Sequence, residues 1–393
     1  MRALCIDIGT GTQDILLFDA EREIENAFRL VLPSPTALVA NRVRTATAAE
    51  RPLILTGSTM GGGPSAWAIR DHVLAGLPVA ATPSAARTLD DDLDTVRAMG
   101  VRVVMDDEAT ELAKLEGTLA LRLRDIALDD LAAVLARYDI DLRTIDAFAL
   151  AVFDHGSAPP GVSDRRFRFD RLADRLRAEP DAGPTAFAHR EHDIPAAFTR
   201  LQAAVDDARG WLGATAQASV VAMDTGPAAV LGALEDPGPR EALRRGREVV
   251  AVNVGNFHTL AMRLAPAPET RIGCRIASIY EHHTGEVGDA HLRRDLALVA
   301  DGTIDGEAVF ASMGHGALVV TPPSIGRGRP WVSVTGPRRA RLIGSTVRGA
   351  GRVIPAVPHG DMMQAGPFGL LRALAERLPL WREPVARRLG TIG

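Results

Sequence analysis

The chain has 393 residues, 46% of them hydrophobic, which is enough for two or three domains with buried cores. The net charge is −4 and there is no basic block, so the composition argues against a nucleic-acid partner or an anionic membrane surface. No signal-peptide pattern opens the chain and no apolar run approaches the ~18 residues of a membrane helix, so we expect a soluble, cytoplasmic protein.

The small number of cysteines argues against some kinds of metal centre. The two cysteines, Cys5 and Cys274, are too few for a Cys₄ zinc site or an iron–sulfur cluster within one chain. Cys5 stands in a core-strand pattern and is expected to be a small buried hydrophobe, and a disulfide is not expected in the cytosol.

The first twenty residues contain two apolar runs, 3–8 and 15–18, around a short Gly/Thr turn, a pattern that predicts a β-hairpin. Glycines let the turn approach a ligand, its N–H groups and hydroxyls can cradle an anion, and Asp7 can hold a hydrated Mg²⁺ beside it. From these residues alone, a tight hairpin with a solvated Asp7 is an equal alternative.

The rest of the first half alternates between strand and helix patterns, which predicts parallel pairing with helices on the faces. The predicted strands are 26–32, 52–56, 78–81, 101–105, 146–152 and 218–223, and the predicted helices are 65–74, 85–99, 128–138, 194–212 and 228–234. The acid run at 90–94 is expected on a solvated helix face. Residues 157–187 are expected to be irregular, and the charged spacer 235–247 marks a boundary.

The second half opens with another strand, glycine turn and strand. Its predicted strands are 249–254, 259–264, 276–280, 331–334 and 353–357, and its predicted helices are 291–300 and 369–378. Both halves thus begin with a glycine hairpin and later show a strand that enters a helix of small residues. This similarity indicates an internal repeat of about half the chain.

Five short motifs resemble those of the actin-like ATPase superfamily, which includes sugar kinases, seventy-kilodalton heat-shock chaperones and actin. They are IDIGTGTQ at 6–13, MDTGPAA at 223–229, VNVGNFHT at 252–259, VSVTGP at 332–337 and GPFGLL at 366–371. The resemblance implies an α/β fold of two duplicated ribonuclease-H-like domains, at 1–247 and 248–393. An α/β elaboration near 52–150 belongs to the first, and the last helix could pack back on the first.

The resemblance also implies ATP and Mg²⁺ as cofactors and a role for each motif. Asp7 and Asp224 would hold Mg²⁺ through water, and Asp224 would orient the attacking group. Outside the five motifs, Asp154 and His155 are our candidates for an acceptor-side base. The implied cofactor-binding residues are Gly9, Thr10, Gly11, Thr12, Gln13, Asn253, Gly255, Asn256, His258, Thr259 and Gly336. Asn253 and Asn256 depart from the usual acid and glycine, so hydrolysis is expected to be slow or absent.

More closely, nearly the whole chain resembles a family labelled "pyruvate formate-lyase activating enzyme-like". The stretches that carry this resemblance are DIGTGTQDILLFD, STMGGGP, DHGSAP, DTGPAAVLGAL, NVGNFHTLA, EHHTG, GHGA and PHGDMM. A glycyl-radical activase needs three clustered cysteines for its iron–sulfur cluster, and this chain has two in all. We therefore do not expect a radical-SAM enzyme.

Six of the ten histidines stand in polar turns at predicted strand ends, where the ligand crevice of a doubly wound sheet lies. They are His155, His258, His282, His283, His315 and His359. One interpretation is a Zn or Fe site built from histidines and carboxylates. Its candidate ligands are Asp154, His155, Glu281, His282, His283 and Asp361, with His315 and His359 as further candidates. The alternatives are acid/base and phosphate-contacting roles, or ordinary loop hydrogen bonds.

These observations favour an ATP-dependent phosphotransferase or ATPase that acts on a small-molecule acceptor. Two other hypotheses stay open at this point. One is a slow, nucleotide-gated activator of a partner enzyme, and the other is a metal-dependent enzyme that uses the histidine turns. The sequence also leaves a homodimer open.

Overall fold

A computed structural model describes residues 1–213, 215–323 and 328–392 as a mixed α/β fold with three β-sheets. The strands in these ranges are β1 (Arg2–Ile8), β2 (Thr12–Asp19), β3 (Phe28–Pro33), β4 (Leu53–Gly57), β5 (Val79–Ala81), β6 (Arg102–Val103), β7 (Leu119–Leu123), β8 (Ala147–Val152), β9 (Ala188–Arg190), β10 (Ser219–Asp224), β11 (Val249–Val254), β12 (His258–Pro266), β13 (Cys274–His283), β14 (Gly314–Val319), β15 (Trp331–Thr335), β16 (Thr346–Val347) and β17 (Gly351–Pro355).

The α-helices in the same ranges are α1 (Pro35–Ala48), α2 (Pro64–Leu74), α3 (Pro83–Ala86), α4 (Leu93–Ala98), α5 (Asp106–Ala113), α6 (Leu128–Ala136), α7 (Asp164–Ala178), α8 (Thr199–Leu212), α9 (Thr225–Ala233), α10 (Pro237–Arg244), α11 (Asp289–Asp301), α12 (Gly306–Ala311), α13 (Ala365–Arg377) and α14 (Arg382–Leu389). No helix within the described residues is long and apolar enough to span a membrane.

The first sheet has the strand order β3-β2-β1-β8-β10-β9. Strands β1, β2 and β3 form an antiparallel meander, so the predicted N-terminal hairpin is confirmed. Strands β8 and β10 then continue parallel to β1, and β9 closes the edge antiparallel to β10. Every residue of β8 is buried because helices α8 and α13 both pack against this strand.

The second sheet has the order β14-β13-β12-β11-β15-β17-β16. It repeats the plan of the first sheet: β11, β12 and β13 form an antiparallel meander, and β15 and β17 continue parallel to β11. A third, smaller sheet with the order β6-β5-β4-β7 is all parallel and has a hydrophobic cluster of its own. Its strands lie within the stretch that the sequence marks as an α/β elaboration.

Helices α9 and α13 lie between the two large sheets, and each packs on strands from the other half of the chain. Helix α9 follows β10 of the first sheet but packs on β11, β12 and β15 of the second. Helix α13 follows the strands of the second sheet but packs on β1, β8 and β10 of the first. The backbones of the two helices are in contact where they cross, at Gly232 and Gly369. A Cβ added to Gly232 would lie 1.6 Å from the Ala365 carbonyl oxygen, and one added to Gly369 would lie 1.9 Å from the Ala228 carbonyl oxygen.

Six of the described helices lie where the sequence interpretation has none: α1, α5, α7, α10, α12 and α14. Helix α1 begins after Ser34, whose hydroxyl accepts a hydrogen bond from the Ala37 N–H at 3.3 Å, and has Pro35 in its first turn. Helix α7 spans fifteen residues of the segment expected to be irregular. Helix α7 packs on the edge strand β14. Most of its residues are charged, but one face carries Phe169 and Leu172, which are buried.

The predicted helix at 85–99 is instead two short helices, α3 and α4, separated by a loop. The acid run therefore lies at the loop and the start of α4, not on a continuous helix face. The Asp92 carboxylate accepts a hydrogen bond from the Asp94 N–H at 2.9 Å and caps α4, a local contact that competes with helix continuation.

Candidate functional site

One cavity of about 870 Å³ opens between the two large sheets and is lined by turns from both of them. The β1–β2 turn and the β11–β12 turn reach it from opposite sides. The segments after β8 and β15 and the first turn of α13 also line it. The small sheet contributes the segment after β4, helix α2 and the loop between α3 and α4. We refer to this cavity as the cleft.

The two glycine turns are built alike and face each other. The Gly9 N–H donates to the Thr12 carbonyl at 2.9 Å, and the Gly255 N–H donates to the His258 carbonyl at 2.9 Å. A Cβ on Gly11 would lie 3.0 Å from Asn256 Nδ2, so the turns come within contact distance across the cleft. The glycines add little side-chain bulk, so an anion can approach the backbone of either turn.

Nine of the eleven predicted cofactor-binding residues line the cleft: Gly9, Thr10, Gly11, Thr12, Asn253, Gly255, Asn256, His258 and Gly336. The other two lie outside its wall. Gln13 donates from Nε2 to the Pro33 carbonyl at 3.1 Å, and Thr259 is buried with its hydroxyl 3.0 Å from that of Thr284. Both side chains are used within the fold, so the structure does not bring them to the ligand space.

Two buried carboxylates face each other on the first hairpin. Asp7 and Asp14 are paired across β1 and β2, and both line the cleft. Thr225 donates from its hydroxyl to Asp7 Oδ1 at 2.5 Å, whereas Asp14 Oδ1 is buried without a hydrogen-bond partner. Burial is the main cause that raises the pKa of Asp7 to about 7 and that of Asp14 to about 8, where the charge of Asp7 adds to the effect.

Asp224 is held by an arginine that the sequence interpretation missed. Arg168 of α7 is almost fully buried and donates to Asp224 Oδ2 at 2.7 Å and to Glu281 Oε1 at 2.7 Å. Burial alone lowers the pKa of Arg168, but the charges of Asp224 and Glu281 raise it above its ordinary value. The ion pair occupies the carboxylate that was expected to orient an attacking water.

Asp154 also has structural contacts in place of a free carboxylate. Its oxygens accept from the Leu201 N–H at 2.8 Å and from the Gly156 N–H at 2.8 Å, and burial raises its pKa. The contacts shape the loop after β8 and fix the start of α8. Asp154 therefore fits a loop-positioning role better than that of an acceptor-side base.

Four of the six singled-out histidines meet at one end of the cleft. His155, His258 and His315 bring ring nitrogens within 4.8 Å of one another. The His283 ring is 4.5 Å from that of His315 and 4.9 Å from that of His258, measured between centroids. Burial lowers the pKa of His315 to about 2 and that of His258 well below its ordinary value, so both rings are neutral at pH 7.

The remaining two histidines lie elsewhere. His282 lies in β13 on the face opposite to that of its neighbours, with Nδ1 3.0 Å from the His283 carbonyl oxygen and Nε2 3.4 Å from the Ser312 hydroxyl. His359 lies beside Glu235, with 3.8 Å between Nε2 and Oε2, and its ring packs on Phe368. Neither residue shares a ligand space with His315.

Comparisons with known proteins identify the family of the chain. No curated protein matches it. Among solved structures, it is similar to an exopolyphosphatase-like protein at 10% identity and a TM-score of 0.27, over 100% of this chain and 92% of that one. It is also similar to a carbohydrate kinase from Novosphingobium aromaticivorans at 13% identity and a TM-score of 0.28, over 95% and 91% of the two chains. At such scores, neither similarity carries a conclusion about this protein.

The family comparison extends over most of the chain. The family model described as "Putative pyruvate format-lyase activating enzyme (DUF1786)" matches residues 60–341. The matched range contains the segment after β8, the second glycine turn and all four clustered histidines. The chain belongs to this family.

Proposed function

We propose that the cleft binds ATP with Mg²⁺ and that the protein transfers the terminal phosphate to a small-molecule acceptor or to water. The observation that carries the proposal is the pair of matching glycine turns, one from each large sheet, which approach within contact distance at Gly11 and Asn256. Two sets of N–H donors on opposite sides of one space suit a polyphosphate chain.

The shared plan of the two large sheets supports the related proposal of two duplicated ribonuclease-H-like domains of the actin-like ATPase type. In each sheet an antiparallel three-strand meander is followed by parallel strands. We place the domains at 1–247 and 248–393, with the small sheet as an elaboration near 52–150.

The acidic floor of the cleft fits a divalent cation. Asp7 and Asp14 would hold hydrated Mg²⁺, since carboxylate oxygens are the ligands that this ion takes in proteins. Burial raises the pKa of both carboxyls, and an approaching cation would favour their charged forms. A Cβ on Gly366 would lie 1.8 Å from Asp7 Oδ2, so only glycine lets α13 begin against this carboxylate. When bound, Mg²⁺ would neutralise phosphate charge.

The remaining cleft residues divide between the two ends of the nucleotide. Thr10, Thr12 and Asn256 would contact phosphate oxygens alongside the turn N–H groups. Gly336 has φ +95° and lines the cleft beside the Asn253 amide, a position that suits the nucleoside end. The Arg168 guanidinium forms an ion pair with Asp224 and holds that carboxylate in place.

A second candidate function is a slow nucleotide-gated activator of a partner enzyme. Two observations favour it: Asn253 stands where the superfamily usually has an acid, and Asp224 is tied to Arg168. The family description names an activating enzyme, but the chain has two cysteines in all, fewer than the three clustered ones that a glycyl-radical activase needs. Phosphate release that rises only when a partner protein is added would favour this candidate.

Calorimetric titration with ATP and Mg²⁺ tests the leading proposal. We expect the wild type to bind, Asp7→Asn to lose at least tenfold in affinity, which is ~1.4 kcal/mol, and Asp130→Asn to bind as the wild type does. Asp130 is a matched control because its side chain is 77% exposed on α6. A wild type that binds neither ATP nor ADP in the presence of Mg²⁺ would refute the proposal.

A further inference from the structure

We propose that His155, His258 and His315 form a binding site for one divalent cation of the Zn²⁺ class, separate from the acidic pair that would hold Mg²⁺. The site does not depend on nucleotide binding. It differs from the ligand set expected from sequence, because it adds His258 to His155 and His315 and leaves out His282, His283 and His359.

The geometry of the three rings is the first observation. His155 follows β8, His258 begins β12 and His315 lies in β14, so three strands of two different sheets each deliver one imidazole to the same point. Their ring nitrogens lie within 4.8 Å of one another. Because Zn–N bonds are about 2.0–2.1 Å long, small ring rotations would bring these nitrogens around one ion.

The second observation is that the buried rings lack hydrogen-bond partners. His315 is 0% exposed, yet neither Nδ1 nor Nε2 has a partner, and His258 Nε2 is also buried and unpaired. A buried polar atom without a partner destabilises the folded state, so three such atoms in one place require an explanation. A metal ion would use the free lone pairs of neutral imidazoles.

The charges around the rings are compatible with a bound cation. The charge of Arg168 acts on all three rings, but Arg168 is shared by Asp224 and Glu281, so this trio carries a net charge of −1. Of the other arginines that act on the rings, Arg200 pairs with Asp125 and Arg165 donates to the Gly314 carbonyl at 2.6 Å. Glu281 Oε2 lies 4.0 Å from His315 Nδ1, where a carboxylate can orient a metal-bound ring. Phe153 stacks on His258 with 3.8 Å between ring centroids and fixes the plane of that ring.

The ligand types determine which metal the site would take. Three neutral nitrogens suit Zn²⁺, Fe²⁺, Ni²⁺ or Cu²⁺, whereas Mg²⁺ and Ca²⁺ require oxygen. His155 is exposed and His258 half-buried, and both line the cleft, so a further coordination position would open into it. Three protein ligands with an open position are typical of a catalytic zinc site. Any oxygen-bearing acceptor bound there would lie next to the second glycine turn, because His258 ends that turn.

The test uses the full chain, stripped of metal with a chelator and titrated with Zn²⁺ by calorimetry and with Co²⁺ by visible absorption. We expect one ion per chain and an absorption spectrum of nitrogen-coordinated Co²⁺. His315→Leu should bind more weakly by more than the roughly 10–100-fold that changes outside the ligand set cost. His192→Asn should bind as the wild type does, because the side chain of His192 is 87% exposed.

Thermal melts separate a metal role from a purely structural one. Leucine removes two unpaired buried nitrogens, so metal-free His315→Leu should melt no lower than the metal-free wild type, and only the wild type should gain stability with Zn²⁺. If His315→Leu does not fold, His258→Gln at the edge of the cleft gives the same comparison. A wild type without stoichiometric Zn²⁺, or a His258→Gln variant that binds undiminished, would overturn the site.

A parallel titration with ATP and Mg²⁺ on the stripped wild type keeps the two proposals apart. Loss of Zn²⁺ binding with intact ATP binding counts against the histidine site alone. Zn²⁺ binding without ATP binding counts against the proposed function alone.

Discussion

The crossing of α9 and α13 makes a strong prediction about stability. Replacing Gly232 with alanine would place a methyl group 1.6 Å from the Ala365 carbonyl oxygen, although real Cβ atoms essentially never approach closer than 3.0 Å. The helices would therefore have to separate by about 1.4 Å or more. Both helices are closely packed on sheets, so the separation would disturb packing on each side.

The expected loss follows from two opposing contributions. Overpacking in a well-packed core costs about 1–3 kcal/mol and sometimes more, while alanine in place of glycine gains about 1 kcal/mol of helix propensity. Since the obstacle is backbone rather than a flexible side chain, the overpacking cost should lie at the upper end of its range, and we expect Gly232→Ala to lower the free energy of unfolding by about 2 kcal/mol. ATP affinity should fall as well, because α9 begins after Asp224 and α13 begins beside Asp7.

Urea denaturation followed by circular dichroism measures this effect. Gly210→Ala is the matched control: it is the same substitution in helix α8, at a glycine whose added Cβ would meet nothing within 4 Å. It should raise the free energy of unfolding by about 0.5–1 kcal/mol. If both variants shift stability in the same direction, the proposed backbone contact at the crossing is wrong.

Three further predictions concern the cleft. Burial raises the pKa of Asp7 from 3.8 to about 7 in the folded chain. Between pH 3.8 and about pH 7 the folded chain therefore holds a proton that the unfolded chain has lost, so the free energy of unfolding falls as the pH rises through this window. Asp7→Asn should reduce that fall in urea titrations at pH 5 and pH 8, and an unchanged slope would contradict the assignment. Arg168→Met should cost about 3–5 kcal/mol because it leaves two buried carboxylates unpaired, and adding Glu281→Gln should restore part of the loss. Trp67→Ala should speed ATP release in stopped-flow experiments, since Trp67 packs on Phe257 of the second glycine turn at 5.5 Å between centroids, and an unchanged rate would show that this contact does not retain the nucleotide.

The sequence was sufficient for features whose cause is local. Turn glycines and flanking apolar runs predicted both hairpins. The strand register of the first hairpin also determines which residue lies opposite Asp7. Once the first hairpin is paired, Asp14 must lie opposite Asp7, so it could have been placed in the cleft. Likewise, His282 and His283 are neighbours on one strand and must project to opposite faces, so only one of them could join the cluster.

Features that depend on distant partners could not be predicted in this way. Arg168 meets Asp224 and Glu281, which are 56 and 113 residues away in sequence. Its helix is so rich in charge that only the spacing of its few apolar residues indicates a buried face. The three-histidine cluster depends on how two sheets approach each other, which no local pattern contains.

The exchange of helices between the halves has a consequence for how the chain can be divided. A fragment ending at residue 247 would carry α7 and α9 with their apolar faces bare, because those faces are covered by strands of the other half. A fragment beginning at residue 248 would carry α13 with the same defect. The midpoint of the repeat is therefore not a place where the molecule comes apart: each piece would need its complement in order to become a folded protein.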